Sequence, residues 1–113
     1  MEQLSDHKPR RAINDGVLLR QREIGVAAPL ASRLAGWHQR AAKIGGFVNH
    51  ALVHDAPRAH LRPQLDAFLD EVLGGLADWR SQVPPEMAGR VQDTERSCRS
   101  LITMLDQLRA RLR

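Results

Sequence analysis

Apolar side chains recur every three or four residues along three separate stretches of the chain. A spacing of this kind places the apolar positions on one face of a helix. Pro29 suits a first helical turn, and the segment Asp55-Ala56-Pro57 suits a stop. The first stretch therefore predicts a helix over residues 29–55. Its core positions are Leu30, Leu34, Trp37, Ala41, Ile44, Val48 and Ala51.

The other two stretches repeat the pattern on either side of a pair of prolines. Pro63 fits the first turn of the second helix, and Pro84-Pro85 separates it from the third. We therefore expect helices over residues 63–83 and 85–112. The core positions of the second helix are Leu65, Leu69, Val72, Leu76, Trp79 and Val83. Those of the third are Met87, Val91, Thr94, Cys98, Leu101, Leu105, Leu108 and Leu112.

Short connections between such helices favour antiparallel neighbours. The predicted fold class is therefore all-α, an antiparallel three-helix bundle of long, heptad-patterned helices that run up, down and up. At a rise of about 1.5 Å per residue, the first and third helices reach about 40 Å and the second nearer 30 Å. Unequal helices leave parts of the apolar faces without an internal partner. We therefore expect a homodimer, a coiled coil with another chain, or another protein partner.

The start of the chain differs from the rest. Residues 1–28 are predicted to form a basic N-terminal arm, partly mobile, beside a helical bundle over residues 29–113. Within the arm, the run Val17-Leu18-Leu19 favours a short extra helix over residues 15–24, ended by Gly25. The alternative is an extended arm laid over the bundle.

Two glycine pairs lie inside the predicted helices, Gly45-Gly46 in the first and Gly74-Gly75 in the second. Each glycine in a helix interior costs roughly 1 kcal/mol relative to alanine. Two such pairs indicate either close approach between helices or local breaks in them.

Positive charge is concentrated near the start of the chain. The whole sequence carries 17 Lys and Arg against 13 Asp and Glu, for a net charge of +4. Acidic residues are interleaved along all three predicted helices, which is unlike the dense basic stripe of a typical nucleic-acid binder. Contact with a partner, or with nucleic-acid phosphates, is expected from the basic residues of the arm: Lys8, Arg10, Arg11, Arg20 and Arg22.

Several classes of protein lose support from composition. The single Cys98 cannot form an intramolecular disulfide, so a reducing, cytoplasmic location is expected. Residues 1–11 lack the apolar core of a secretory signal, and the apolar stretch 44–53 is about half a bilayer span, so no membrane partner is expected. No phosphate-binding loop, nucleophile motif or paired carboxylates occur. We therefore expect no enzyme activity, no catalytic residues and no cofactor.

One local motif carries metal-ligand chemistry. His50, His54 and His60 have the spacing H-x3-H-x5-H, and two histidines four apart share a helix face. The spacing resembles that of the metzincin zinc proteases. Because Ala51 stands where those enzymes have a glutamate and Pro57 replaces their glycine, proteolysis is not expected. Metal binding alone, by these three histidines, remains a minor alternative.

The leading prediction for function is a non-catalytic small helical interaction protein. Such a bacterial regulator, inhibitor, chaperone or secretion-type accessory protein would bind a protein partner through exposed helix faces and arginines. The alternative is a nucleic-acid-binding accessory protein that uses the basic arm.

Overall fold

The computed structural model describes the backbone of residues 2–113 and the side chains of residues 15–113, and within these bounds it is all-α. Each α-helix packs against the other two. The elements are α1 (Glu2–Val53), α2 (Leu61–Gln82), a 3-10 helix (Pro85–Arg90) and α3 (Gln92–Arg111).

α1 is much longer than the sequence predicts. It is one continuous helix of 52 residues. The predicted start at residue 29 is therefore wrong. Residues 15–24 are helical, as predicted, but the helix does not end at Gly25, and the alternative of an extended arm is wrong. The prediction relied on glycine and proline as local helix breakers, and tertiary contacts override both of them here.

Those contacts lie on both sides of Pro29. The indole N–H of Trp79 donates a hydrogen bond to the carbonyl oxygen of Val26 at 2.8 Å. Leu30, immediately after the proline, is completely buried. This part of α1 is therefore held as a helix by the bundle. Two ion pairs join it to the 3-10 helix: Arg22 with Glu86 at 2.6 Å and Glu23 with Arg90 at 2.9 Å.

The core coincides with the predicted positions. Every position predicted for the first helix is buried, and so are all those of the second except Val83. In the third set, Thr94 and Leu112 are half-buried and the rest are buried. Burial at these positions confirms the predicted inward faces. Phe68 and Leu61 complete the buried face of α2.

The last predicted helix, over residues 85–112, is two elements instead of one. The N–H of Met87 donates to the carbonyl oxygen of Pro84 at 2.9 Å, which is the closure of a 3-10 turn. Val91 then breaks the helical geometry with φ of −113° and ψ of 18° before α3 begins. The two prolines at 84 and 85 lack N–H groups and Gly89 has low helix propensity, so this first turn does not form an α-helix.

The molecule is elongated, with dimensions of 78 × 25 × 16 Å. A 52-residue helix is about 78 Å long, so α1 spans the whole length. α2 and α3 have 22 and 20 residues and reach less than half as far. The N-terminal part of α1 therefore extends beyond the bundle.

Candidate interaction surface

Three of the five large apolar side chains that are exposed on the described part of α1 lie where it leaves the bundle. Val17 is 49% exposed, Leu18 62% and Ile24 63%. These three residues, called here the α1 end patch, lie within eight residues of one another and flank the ion pair between Arg22 and Glu86 in the sequence. Exposed apolar groups packed this closely in sequence are typical of a contact surface.

The predicted basic contact residues are only partly placed by the structure. Arg20 is exposed beside the α1 end patch. Arg22 instead bonds to Glu86 within the chain. The pKa of Glu86 is lowered, first by its own backbone N–H and then by the Arg22 guanidinium. Arg22 is therefore partly neutralised within the chain. The other three predicted residues, Lys8, Arg10 and Arg11, lie outside the residues whose side chains are described.

The histidine motif is brought together only in part. The rings of His50 and His54 lie 4.5 Å apart between centroids, and both residues are exposed. His60 lies across the turn and lines a shallow cavity of about 230 Å³ with His50 and Phe47. Among residues 15–113, no three His, Cys, Asp or Glu side chains come together as a group able to hold a metal ion. The structure thus pairs two of the predicted ligands and does not assemble all three.

A polar network joins α1 to α2 at the surface of the bundle. The Trp37 indole N–H donates to the Glu71 carboxylate at 2.8 Å, and Arg40 donates to the same oxygen at 2.5 Å. The Arg40 guanidinium also lies over the Phe68 ring, 4.3 Å from its centroid. Arg40, Phe68 and Glu71 line a cavity of about 400 Å³ together with Phe47, which is 57% exposed.

The network lowers the pKa of Glu71 below its ordinary value. The hydrogen bond from Trp37 is the largest cause, and the hydrogen bond from Arg40 is the second. Both bonds favour the charged carboxylate. Because the folded pKa lies below the unfolded value of 4.5, the stabilisation is complete above about pH 4.5 and is lost as the pH falls through the folded pKa.

We therefore predict that Glu71→Gln removes part of the acid sensitivity of the fold. The free energy of unfolding of the wild type should fall more than that of the variant between pH 7 and pH 3, by less than about 1 kcal/mol because Glu71 is half exposed. Urea unfolding of both proteins at the two pH values measures the difference. Identical losses in the two proteins would show that the carboxylate of Glu71 contributes nothing.

The single cysteine and the two tryptophans are buried in the core. Cys98 is completely buried in α3, and burial raises the pKa of its thiol. Trp37 and Trp79 are also buried, as their positions predict, but each directs its indole N–H to a polar partner on another helix. Cys98 therefore acts as a small apolar core residue.

Two features of this surface were missed by the sequence analysis. The bond between Trp37 and Glu71 joins residues 34 apart, and no local spacing indicates it. The exposure of Val17 and Ile24 does not follow from a separate short helix over residues 15–24, because the orientation of such a helix relative to the bundle is not fixed by the sequence. The available signal was that these two positions fall opposite the apolar seam once the helix is extended through Pro29.

Comparison with protein-family models, with curated proteins and with solved structures finds no match to this chain. Within the part that the structure describes, none of the helices is both long and apolar enough to cross a lipid bilayer.

Proposed function

We propose that this chain is a non-catalytic interaction protein that binds a protein partner through an exposed helix face and neighbouring arginines. The observation that carries the proposal is the α1 end patch, Val17, Leu18 and Ile24, on a helix that extends beyond the bundle. A helical segment that extends beyond a bundle lacks tertiary packing, and such segments are marginally stable in water. Most helix stability comes from packing of an apolar face. A partner that covers the patch would supply that packing.

The proposal includes a three-helix architecture that runs up, down and up. It is supported by the order of contacts between α1 and α2, where Val26 meets Trp79 and Trp37 meets Glu71. As the residue numbers increase along α1, those of the contacting residues in α2 decrease, which is the order expected for antiparallel helices. The same opposite order joins α2 to α3 through two ion pairs: Asp66 with Arg109 and Arg80 with Glu95.

A reducing, cytoplasmic location belongs to the same proposal. The chain has one cysteine, which is buried, and a small domain that depends on disulfides would need at least two.

The arginine next to the α1 end patch, Arg20, is exposed and would contact an acidic group of the partner. A regulator, inhibitor, chaperone or secretion-type accessory protein would use such a surface in the same way.

Site-specific photo-cross-linking tests the proposal. A photoreactive residue replaces Ile24 in one protein and Gln107, an exposed residue of α3, in a matched control. We expect irradiation in the native host to give a discrete protein adduct from position 24 and none from position 107. An adduct that disappears after nuclease treatment would favour the nucleic-acid alternative instead. Absence of any adduct at position 24 would contradict both.

A further inference from the structure

α1 carries a second regular face, opposite the one that it buries. Starting at Val17 and stepping by three or four residues, this face passes through Ile24, Ala31, Ala35 and Ala42 and ends at Val53. At about 100° per residue these positions lie on the side of the helix turned away from Leu30 and the rest of the core. The burial pattern agrees, since all of them are exposed. This surface is called here the outer face, and its positions are Val17, Gln21, Ile24, Ala28, Ala31, Ala35, Gln39, Ala42, Gly46, Asn49 and Val53.

The outer face is uncharged along its whole length but includes large apolar side chains. None of its positions holds Asp, Glu, Lys or Arg. Three of the seven large apolar residues that are exposed in the described part of the chain lie on it: Val17 at 49%, Ile24 at 63% and Val53 at 79%. Leu18 adjoins it. A solvent-facing helix surface without charges over about 54 Å is unlike the polar outer face of an ordinary bundle helix.

The charged residues that border the outer face are all of one sign. Arg20 lies on one side of it and Lys43 on the other. Neither Arg20 nor Lys43 takes part in any ion pair between described side chains. The one acidic residue between Val17 and Val53 is Glu23, which lies elsewhere in the helical register and is paired with Arg90. The face is therefore an uncharged strip between cationic borders.

Charge decides which occupant fits. A second copy of this chain would place cations against cations, because both borders are cationic, and like charges at such an interface cost affinity. A lipid surface would need bulky apolar groups along the strip, whereas its centre holds Ala31, Ala35 and Ala42. The small alanines of the outer face instead let a helix of another protein approach closely. If that helix carried acidic side chains beside an apolar ridge, the acidic side chains would meet Arg20 and Lys43.

From this geometry we infer that the outer face of α1 binds an acidic amphipathic α-helix of a partner protein. The inference rests on the proposed function and specifies the chemistry of its partner. The apolar ridge of the partner helix lies along the uncharged strip, with contacts at the spacing of helix-in-groove recognition. Its glutamates or aspartates pair with the cationic borders.

Selection from a peptide library tests the inference on the full-length chain. The library consists of helical peptides with an invariant leucine ridge, in which the flanking positions are drawn from Glu, Gln and Lys. We expect selected peptides to be enriched in Glu. We also expect a Glu-flanked peptide to bind at least tenfold more tightly than its Lys-flanked counterpart, with the preference decreasing as salt rises.

Two matched double variants locate the binding. Ile24→Glu with Ala35→Glu places acids on the outer face, and Gln107→Glu with Ala110→Glu places the same charges on an exposed part of α3. All four positions are exposed, so both proteins should fold, and circular dichroism checks this. We expect the first variant to lose at least tenfold in affinity for the Glu-flanked peptide and the second to keep its affinity within twofold.

Several results would overturn the inference. One is selection of peptides whose flanking positions are enriched in Lys or in neither charge, and another is a selection that recovers no peptide. A third is equal affinity of the two double variants for the Glu-flanked peptide. A dimer of the chain alone that the outer-face variant abolishes would assign the face to a second copy. Binding to vesicles of phosphatidylserine and phosphatidylcholine that the same variant abolishes would assign it to lipid. If cross-linking at position 24 still captures a protein, the proposed function stands while the acidic-helix inference fails.

Discussion

Replacing Pro29 with alanine is expected to raise the free energy of unfolding by about 2–3 kcal/mol. Pro29 lies in the interior of α1, where it cannot donate a backbone hydrogen bond to Gly25 and where its ring crowds that carbonyl. Alanine restores the bond. The expected gain is somewhat below the full cost of an interior proline, because alanine also frees the unfolded chain. Urea unfolding followed by circular dichroism measures the change.

The matched control is Pro63→Ala. Pro63 is the third residue of α2, where the backbone N–H groups have no partner within the helix in any case. We expect its replacement to change the free energy of unfolding by less than about 1 kcal/mol. A similar gain at both positions would show that the interior location of Pro29 is not the cause.

Adding one methyl group at Gly75 is expected to destabilise the bundle by about 1–3 kcal/mol. A Cβ at Gly75 would lie 2.6 Å from one ring carbon of Trp37 and 2.9 Å from another. The ring is buried, and its indole N–H is held by Glu71, so it cannot move aside without losing packing or the hydrogen bond. This loss outweighs the gain in helix propensity of about 1 kcal/mol.

The neighbouring glycine provides the control for this prediction. A Cβ at Gly74 meets no atom within 4 Å. Gly74→Ala should therefore stabilise the protein by up to about 1 kcal/mol, since only helix propensity changes. Thermal and urea unfolding of the two variants should move in opposite directions. Stabilisation by both substitutions would mean that Trp37 does not limit the space at residue 75.

The inward faces could be predicted because helical periodicity is a one-dimensional property of the sequence. Leu30, Val48 and Leu105 are buried where the spacing predicts, since a step of three or four residues returns a side chain to the same face. Nothing beyond residue order is needed for that inference. The predicted bounds of α2 agree with the structure to within two residues, because the prolines at 63, 84 and 85 are local signals for helix ends.

The start of α1 could not be predicted from local signals. Gly25 and Pro29 both indicate a helix boundary, and the contacts that overcome them come from residues more than fifty positions away, such as Trp79 at Val26. The glycine pairs illustrate the same limit. Their presence indicates close approach somewhere, but only the packing of Trp37 identifies Gly75 as the point of contact and leaves Gly74 in open space.

The sequence predicts the kind of surface that would bind a partner, but not which residues form it. The sequence indicates exposed helix faces and arginines. Which face is exposed depends on where α1 begins, and that depends on tertiary contacts. Once α1 is extended through Pro29, the charge-free register from Val17 to Val53 follows from the sequence alone.

The burial of Cys98 makes this chain convenient for spectroscopy. Its only thiol is inaccessible in the folded state and remains protonated, since burial raises its pKa. A cysteine introduced by Ile24→Cys or Gln107→Cys is therefore the one thiol that a maleimide dye reaches under native conditions. Fluorophores and spin labels can be attached to α1 or α3 in the otherwise natural sequence, without the core cavity that removal of Cys98 would leave.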